Sequence, residues 1–196
     1  FKLNKYLKEG KNSLVLKILR WSTGSYLECQ DFWRISGIER DVFLFSQPKN
    51  HIRDFQVVST LDNTYKNGIF KLATAVQTES LQNDLSLSYE LLDAQGNTVA
   101  KETQKNDKIN QIFEAEIPNV KTWTSEHPNL YQLLITLKEG NKVTEVIPYK
   151  VGFRRFEIKE IEEKAENGKP YVCFFVNGQP IKLKGVNIHE HNPETG

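Results

Sequence analysis

Short runs in which apolar and polar residues alternate dominate the middle of the chain. A period of two places one set of side chains on a single face, which is typical of a strand buried on one side. The four clearest runs are Phe70, Leu72, Thr74 and Val76; Leu85, Leu87, Tyr89 and Leu91; Ile109, Gln111, Phe113, Ala115 and Ile117; and Tyr131, Leu133, Ile135 and Leu137. With residues 55–59, 98–103 and 143–151, they predict seven antiparallel strands. An all-β, two-sheet sandwich of immunoglobulin type accommodates them most economically.

Turn residues separate these strands and then introduce a further hairpin. Residues 94–97 and 139–141 are rich in Gly and Asn, which favour tight turns. Residues 171–176 are strongly β-prone, and Asn177-Gly178 is a preferred two-residue hairpin turn. We therefore predict a hairpin whose second strand runs from Ile181 towards Val186 and ends in a polar loop.

The flanking regions predict less complete structures. Residues 13–20 and 35–45 read as apolar strands, while the aromatic, Gly- and Ser-containing segment 21–33 is typical of a binding loop. The acidic segment 160–164 reads as a solvated linker. The predicted organisation is an incomplete β domain over 1–48, a whole sandwich over 49–152 and the start of a third domain over 153–196.

Composition excludes several functional classes. The chain has 196 residues, with 26 basic and 25 acidic side chains and a net charge of +1, so it lacks the basic footprint of a nucleic-acid-binding protein. No segment approaches the roughly 20 apolar residues that a membrane span requires. We therefore expect a soluble protein that contacts neither nucleic acid nor membrane, in a compartment that the sequence does not indicate. Cys29 and Cys173 are expected to be free thiols.

Five separated motifs, in order along the whole chain, resemble the β-galactosidases of glycoside hydrolase family 2. The motifs are Trp21-Ser22-Thr23-Gly24-Ser25-Tyr26-Leu27-Glu28 with Asp31-Phe32-Trp33-Arg34-Ile35-Ser36-Gly37-Ile38-Glu39-Arg40-Asp41-Val42; residues 123–131; Val151-Gly152-Phe153-Arg154; Asn177-Gly178-Gln179-Pro180; and Gly185-Val186-Asn187-Ile188-His189-Glu190-His191-Asn192-Pro193. The resemblance implies the end of a jelly-roll sugar-binding domain, an immunoglobulin-like domain and the first hairpin and strand of a (β/α)8 barrel.

The same resemblance implies a retaining hydrolase of terminal β-galactosides, supported by sodium and magnesium. It assigns Asp31 to a sodium ion and to the 6-hydroxyl of the sugar; a carboxylate suits both, whereas without the motif Asp31 would read as a turn residue. It assigns His189, just past the presumed first barrel strand, to hydrogen bonding with the galactose ring. Without the motif His189 would read as an ordinary loop histidine.

Glu190 is rejected as the general acid. Retaining hydrolysis needs two carboxylates about 5 Å apart, and the resemblance places both catalytic glutamates on later barrel strands, beyond Gly196. The chain alone is therefore expected to be inactive and to need the rest of its own chain as a partner. His189 and His191 are too few for a metal site, and Trp33 and Trp123 are expected to anchor domain packing.

An alternative of another class remains open. Successive β-sandwiches would also suit a non-catalytic carbohydrate-binding or adhesion module, which needs neither a barrel nor a carboxylate pair. Assembly into a homo-oligomer and the preferred galactoside are likewise left open by the sequence.

Overall fold

The computed structural model describes residues 1–28, 37–38, 40–79, 84–105, 107–188 and 194. Two compact units are present, one formed by Ser46–Leu183 and the other by Phe1–Phe45 with Lys184–Gly196. The larger unit contains all ten strands of the described residues, so the predicted all-β class is confirmed.

Seven strands of the larger unit form a sandwich of two antiparallel sheets. They are β1 (His51–Leu61), β2 (Gly68–Gln77), β3 (Leu85–Leu92), β4 (Thr98–Lys105), β5 (Asn110–Ile117), β6 (Tyr131–Glu139) and β7 (Lys142–Val151). One sheet has the order β1-β2-β5 and the other the order β4-β3-β6-β7. The fourth strand therefore extends the sheet of β3 instead of pairing with β5, a variation within the immunoglobulin-like architecture.

The core of the sandwich consists of the alternating side chains that the sequence predicts. In β3, Leu85, Leu87 and Leu91 are completely buried and Tyr89 is 3% exposed. The Tyr89 ring packs between the two sheets, 5.1 Å from the Phe70 centroid and 5.3 Å from the Phe113 centroid. Aromatic pairs of this kind contribute about 0.5–1.5 kcal/mol each beyond their buried area.

One end of the sandwich is closed by Tyr131 and Phe153. Tyr131 begins β6, and its ring lies edge-on to Phe153 at 5.2 Å. Its hydroxyl oxygen accepts a hydrogen bond from the Lys121 backbone N–H at 2.9 Å, so a buried polar tip is satisfied by the loop before the strand. Gly68 faces the same point, where a side chain would overlap Phe153 and Val120.

A third antiparallel sheet follows the sandwich. It contains β8 (Phe156–Lys164), β9 (Pro170–Val176) and β10 (Gln179–Ile181), in the order β10-β9-β8. The predicted hairpin turn is confirmed, because Asn177 and Gly178 have φ values of 50° and 77°, as a two-residue turn with a right-handed strand twist requires.

Two predictions about this sheet are wrong. Segment 160–164 is the end of β8, paired with β9, and no linker; its charges suit an edge strand with one face in water. The strand predicted from Ile181 towards Val186 ends at Ile181, where its pairing with Phe174 is the last rung. Residues 182–188 belong to no regular element.

The smaller unit differs most from the sequence expectation. Residues 13–20 form no strand, and neither do residues 41–45 of the predicted strand over 35–45. A strand exists only through hydrogen bonds to a neighbour, and the apolar side chains of 13–20 remain 48–86% exposed, so no neighbouring strand covers them in the part of the chain that the structure describes. A short helix, α1 (Thr23–Leu27), replaces part of the predicted loop over 21–33, with Ser22 and Ser25 forming a reciprocal cap.

Candidate functional site

The two residues that the sequence assigns to substrate, Asp31 and His189, lie outside the described residues, as do Trp33, Glu190 and His191. Their roles stay predictions. The polar cluster that the structure does describe lies where the third sheet meets the sandwich. We call it the junction cluster: Tyr65, Trp123, Arg155, Glu157, Lys159, Asn177 and Gly178.

The loop between β1 and β2 holds Tyr65 in place through Asp62. The Asp62 carboxylate accepts hydrogen bonds from the backbone N–H groups of Thr64 and Lys66, both at 3.1 Å. Burial raises the pKa of Asp62, but these bonds and the Thr64 hydroxyl outweigh that effect and leave the pKa below its ordinary value. Within this braced loop Tyr65 has φ +59°, a left-handed conformation that costs a non-glycine residue free energy.

The Tyr65 side chain joins the loop to the third sheet. Its hydroxyl donates a hydrogen bond to Glu157 Oε2 at 2.8 Å and accepts one from Lys159 Nζ at 2.7 Å. Its ring covers Gly178 so closely that a Cβ there would lie 2.6 Å from Tyr65 Cε2. Tyr65 is thus fixed at both its ring and its hydroxyl.

Three charges of the junction cluster alternate along the chain into β8. Glu157 forms ion pairs with Arg155 at 3.0 Å and with Lys159 at 2.9 Å, and its side chain is only 14% exposed. Hydrogen bonds from Lys159 and Tyr65 lower the pKa of Glu157, and the bond to Tyr65 raises the pKa of Lys159. Both groups therefore keep their charge across the neutral range.

Arg155 also reaches the loop that carries Tyr65. Its guanidinium donates to the Asp62 backbone oxygen at 3.3 Å and to Asn63 Oδ1 at 2.9 Å. A planar guanidinium can serve a carboxylate and carbonyl oxygens at once. Arg155 therefore binds both Glu157 in the third sheet and the loop between β1 and β2.

Asn177 connects three segments through its side chain. Its Oδ1 accepts from the Arg155 backbone N–H at 2.9 Å, and its Nδ2 donates to the Trp123 carbonyl at 3.0 Å. Its own backbone N–H donates to the Arg155 carbonyl at 2.9 Å. The hairpin turn is therefore tied both to the start of β8 and to the loop before β6.

Trp123 lies against the connection from β7 to β8. Its backbone N–H donates to the Phe153 carbonyl at 2.8 Å, and the Arg154 guanidinium stacks over its ring at 4.7 Å from the centroid. A Cβ on Gly152 would lie 3.2 Å from the Trp123 ring. With one ring face covered by Arg154 and Gly152 close to the ring, Trp123 acts in packing, as predicted.

The chemistry of the junction cluster is structural. Every charge in it has a partner, and the described residues contain no group of three His, Cys, Asp or Glu side chains that could hold a metal ion. Cys173 is a free thiol, as predicted, and is half-buried; Cys29 lies outside the described ranges. No helix in the described part of the chain has the length and apolar character needed to cross a membrane.

Sequence reasoning missed Tyr65, Glu157 and the side-chain role of Asn177. Their partners lie far away along the chain, since Glu157 is 92 positions after Tyr65 and Asn177 is 54 positions after Trp123. Periodicity reports only which face of a strand a residue occupies. The one available signal was the alternation of charge at Arg155, Glu157 and Lys159, which matches one face of a strand.

Comparison with known proteins gives two matching family models. "Glycosyl hydrolases family 2" matches residues 50–154, more than half of the chain, and "Glycosyl hydrolases family 2, sugar binding domain" matches residues 1–48. Proteins named β-galactosidase from Streptococcus thermophilus and Priestia megaterium are each 38% identical over the whole chain. The chain spans 18% and 19% of the length of these two relatives.

Solved structures agree on the fold. A β-glucuronidase from Bacteroides uniformis matches 80% of the chain with a TM-score of 0.64 and 20% identity, the match covering 18% of that protein. A β-glucuronidase from Parabacteroides merdae matches 70% of the chain with a TM-score of 0.58 and 23% identity, covering 16% of that protein. Identity at this level supports the architecture alone. Taken with the family models, these matches lead to one conclusion: the chain belongs to the glycosyl hydrolases of family 2.

Proposed function

We propose that this chain is part of a retaining β-galactosidase, which releases terminal β-galactose through a galactosyl-enzyme intermediate. The observation that carries the proposal is the identity of 38% with proteins named β-galactosidase, sustained over the full 196 residues. The structural relatives named β-glucuronidases weigh less on the choice of sugar, because their identities of 20% and 23% support the fold only.

Asp31 is proposed to bind the sugar and a sodium ion. An ionised carboxylate accepts a strong hydrogen bond from the 6-hydroxyl, and its oxygens are the ligand type that a hard cation prefers. Sodium, when bound, would supply positive charge beside that hydroxyl. For magnesium the sequence indicates no ligand, so this ion enters the proposal as a requirement of the intact enzyme only.

His189 is proposed to hydrogen bond the galactose ring as the ring distorts towards the oxocarbenium-like transition state. An imidazole N–H can donate to a sugar hydroxyl, and a contact that strengthens during distortion accelerates the chemical step. We assign no residue of the chain to the roles of nucleophile or general acid. The chain by itself is therefore expected to leave a β-galactoside intact.

The test uses the intact protein that carries this chain, assayed with p-nitrophenyl β-galactoside and p-nitrophenyl β-glucuronide over a range of sodium concentrations. Asp31→Ala should lower activity by roughly one to two orders of magnitude and remove the sodium dependence, because a hydrogen bond to a charged group contributes about 1.5–3 kcal/mol. His189→Ala should lower kcat more than it raises KM and should leave the sodium response intact.

Different results would refute different parts of the proposed function. Faster turnover of the glucuronide would refute the choice of galactose. An Asp31→Ala enzyme that still responds to sodium would refute the sodium site, and a His189→Ala enzyme altered only in KM would refute the transition-state contact. Galactoside binding without any turnover would favour the non-catalytic carbohydrate-binding or adhesion module.

A further inference from the structure

The second strand of the C-terminal hairpin depends on its turn. β10 pairs with β9 at only three positions, Gln179 with Val176, Pro180 with Phe175 and Ile181 with Phe174. It lies at the edge of its sheet, with no second neighbour among the described strands. Because this ladder is so short, the turn residues at positions 177 and 178 set where β10 starts and in which direction it runs.

These turn residues are held by the sandwich from two sides. The Asn177 side chain is bonded at both its oxygen and its nitrogen, to Arg155 and to Trp123. The Tyr65 ring occupies the space in which a side chain at position 178 would lie. Tyr65 is in turn fixed through its hydroxyl to Glu157 and Lys159.

The other hairpin turn of the same sheet has no such ties. Residues 165–169 join β8 to β9 and include Asn167-Gly168. Gly168 has the same φ of +77° as Gly178, and a Cβ there would meet nothing within 4 Å. The Asn167 side chain is exposed and accepts a hydrogen bond from Lys169 within its own turn. Both turns thus contain Asn-Gly with the glycine at the same φ, and the one at 177–178 is docked on the sandwich.

We propose that Tyr65, Asn177 and Gly178 are positioning residues that fix the start of the segment leading to His189. Only seven residues separate Ile181 from His189, so the position and direction of β10 set where that segment begins. The proposal rests on the proposed function in one respect, namely that His189 contacts the substrate. The docking of the turn is independent of it.

The residue types agree with this role. Asn tolerates a left-handed backbone, and its side chain has both an accepting carbonyl oxygen and a donating NH2 group, so it can occupy the turn and bond Arg155 and Trp123 together. Glycine would keep the turn and lose both bonds. A loop residue held at φ +59°, as Tyr65 is, persists only where its surroundings hold it there.

The experiment compares Asn177→Gly with the control Asn167→Gly in the intact protein; the control removes the asparagine side chain of the other Asn-Gly pair in the same sheet. Hydrogen exchange of residues 174–181 is measured without substrate, and kcat and KM are measured on p-nitrophenyl β-galactoside. Asn177→Gly should speed exchange there by roughly tenfold to a hundredfold, the effect of two lost hydrogen bonds. It should lower kcat by roughly tenfold with a smaller change in KM, because displaced groups cost more in the transition state.

Asn167→Gly should leave exchange at 174–181 and both kinetic constants unchanged. Tyr65→Phe keeps the ring over Gly178 and loses the hydroxyl, so it should speed exchange and lower kcat by smaller factors than Asn177→Gly. If Asn177→Gly does not fold, Tyr65→Phe tests both the docking and the positioning role. Equal exchange in the two glycine variants would overturn the docking, and faster exchange with unchanged kcat would overturn the positioning role. If the unsubstituted protein does not cleave galactosides, the proposed function fails, while the exchange rates still test the docking.

Discussion

Gly178→Ala should open the hairpin by filling the space that the Tyr65 ring occupies. The added Cβ would lie 2.6 Å from Tyr65 Cε2 and 2.9 Å from Cδ2. Atoms cannot remain that close, and the ring cannot swing away freely because its hydroxyl is bonded to Glu157 and Lys159. Either the turn or the tyrosine must move.

The expected cost has two parts. Alanine at φ +77° in a left-handed conformation costs roughly 1–2 kcal/mol relative to glycine. Overpacking against a constrained ring adds about 1–3 kcal/mol. The free energy of local opening at residues 174–181 should therefore fall by about 2–5 kcal/mol.

Gly168→Ala separates the two parts, because Gly168 has the same φ and open space around its Cβ position. It should show only the backbone cost, about 1–2 kcal/mol, at its own turn. Native-state hydrogen exchange on the unsubstituted chain and both variants measures these local free energies. If the effect of Gly178→Ala at its own turn is no larger than that of Gly168→Ala, the contact with Tyr65 contributes nothing and the reasoning fails.

Three further predictions concern the core and the ion pairs. Gly68→Ala places a Cβ 2.7 Å from Phe153 and 2.8 Å from Val120, so urea denaturation should show a loss of about 1–3 kcal/mol, whereas Gly185→Ala, with open space, should show none. Leu133→Ala empties a completely buried position and should cost about 2–5 kcal/mol in the same assay; a loss under about 1 kcal/mol would contradict the packing. The pKa of Glu157 is lowered from its ordinary value of 4.5, so its stabilisation of the junction is present above pH 4.5 and is lost as the pH falls through the folded-state pKa. The protection factors of residues 156–160, which compare each exchange rate with the intrinsic rate at the same pH, should fall on acidification in the unsubstituted chain and change less in Glu157→Gln; equal responses would exclude Glu157 as the titrating group.

The strands of the sandwich were predictable because each lies between a core and solvent. Burial on one face imposes a period of two, which the inward apolar residues of β3 and β6 show without interruption. Gln111 illustrates the limit of the pattern: it occupies an inward position of β5 and is 5% exposed, although it is polar. Its Nε2 donates to the Lys105 carbonyl at 2.6 Å, a partner that no periodicity indicates.

Strands at sheet edges were harder to predict. β8 carries charges along most of its length, and such a composition is shared by exposed linkers and by edge strands. Only its pairing with β9 distinguishes the two. Residues 13–20 show the reverse error, since an apolar, β-prone run is a strand only where a neighbour supplies hydrogen bonds.

Only part of the junction cluster could be predicted from the sequence. Asn177-Gly178 could be assigned to a turn from local preference alone, because the requirement for positive φ lies within the dipeptide. That the Asn177 side chain also bonds Arg155 and Trp123 depends on how the third sheet docks on the sandwich, which is a tertiary property. The same holds for Tyr65, whose left-handed backbone follows from the Asp62 loop and is not a preference of tyrosine.

The fold of this chain does not distinguish its relatives named β-galactosidases from those named β-glucuronidases. Its sequence relatives are named β-galactosidases, yet β-glucuronidases share its architecture with TM-scores of 0.58 and 0.64. One scaffold thus accompanies two named activities, as expected when function depends on the site and not on the architecture. The two sugars differ at carbon 6, where one carries a hydroxyl and the other a carboxylate. A carboxylate such as Asp31 attracts the hydroxyl and repels the second negative charge. If the proposed contact is right, Asp31→Asn should lower the activity ratio of galactoside to glucuronide in the intact protein, and an unchanged ratio would move the source of specificity to residues other than Asp31.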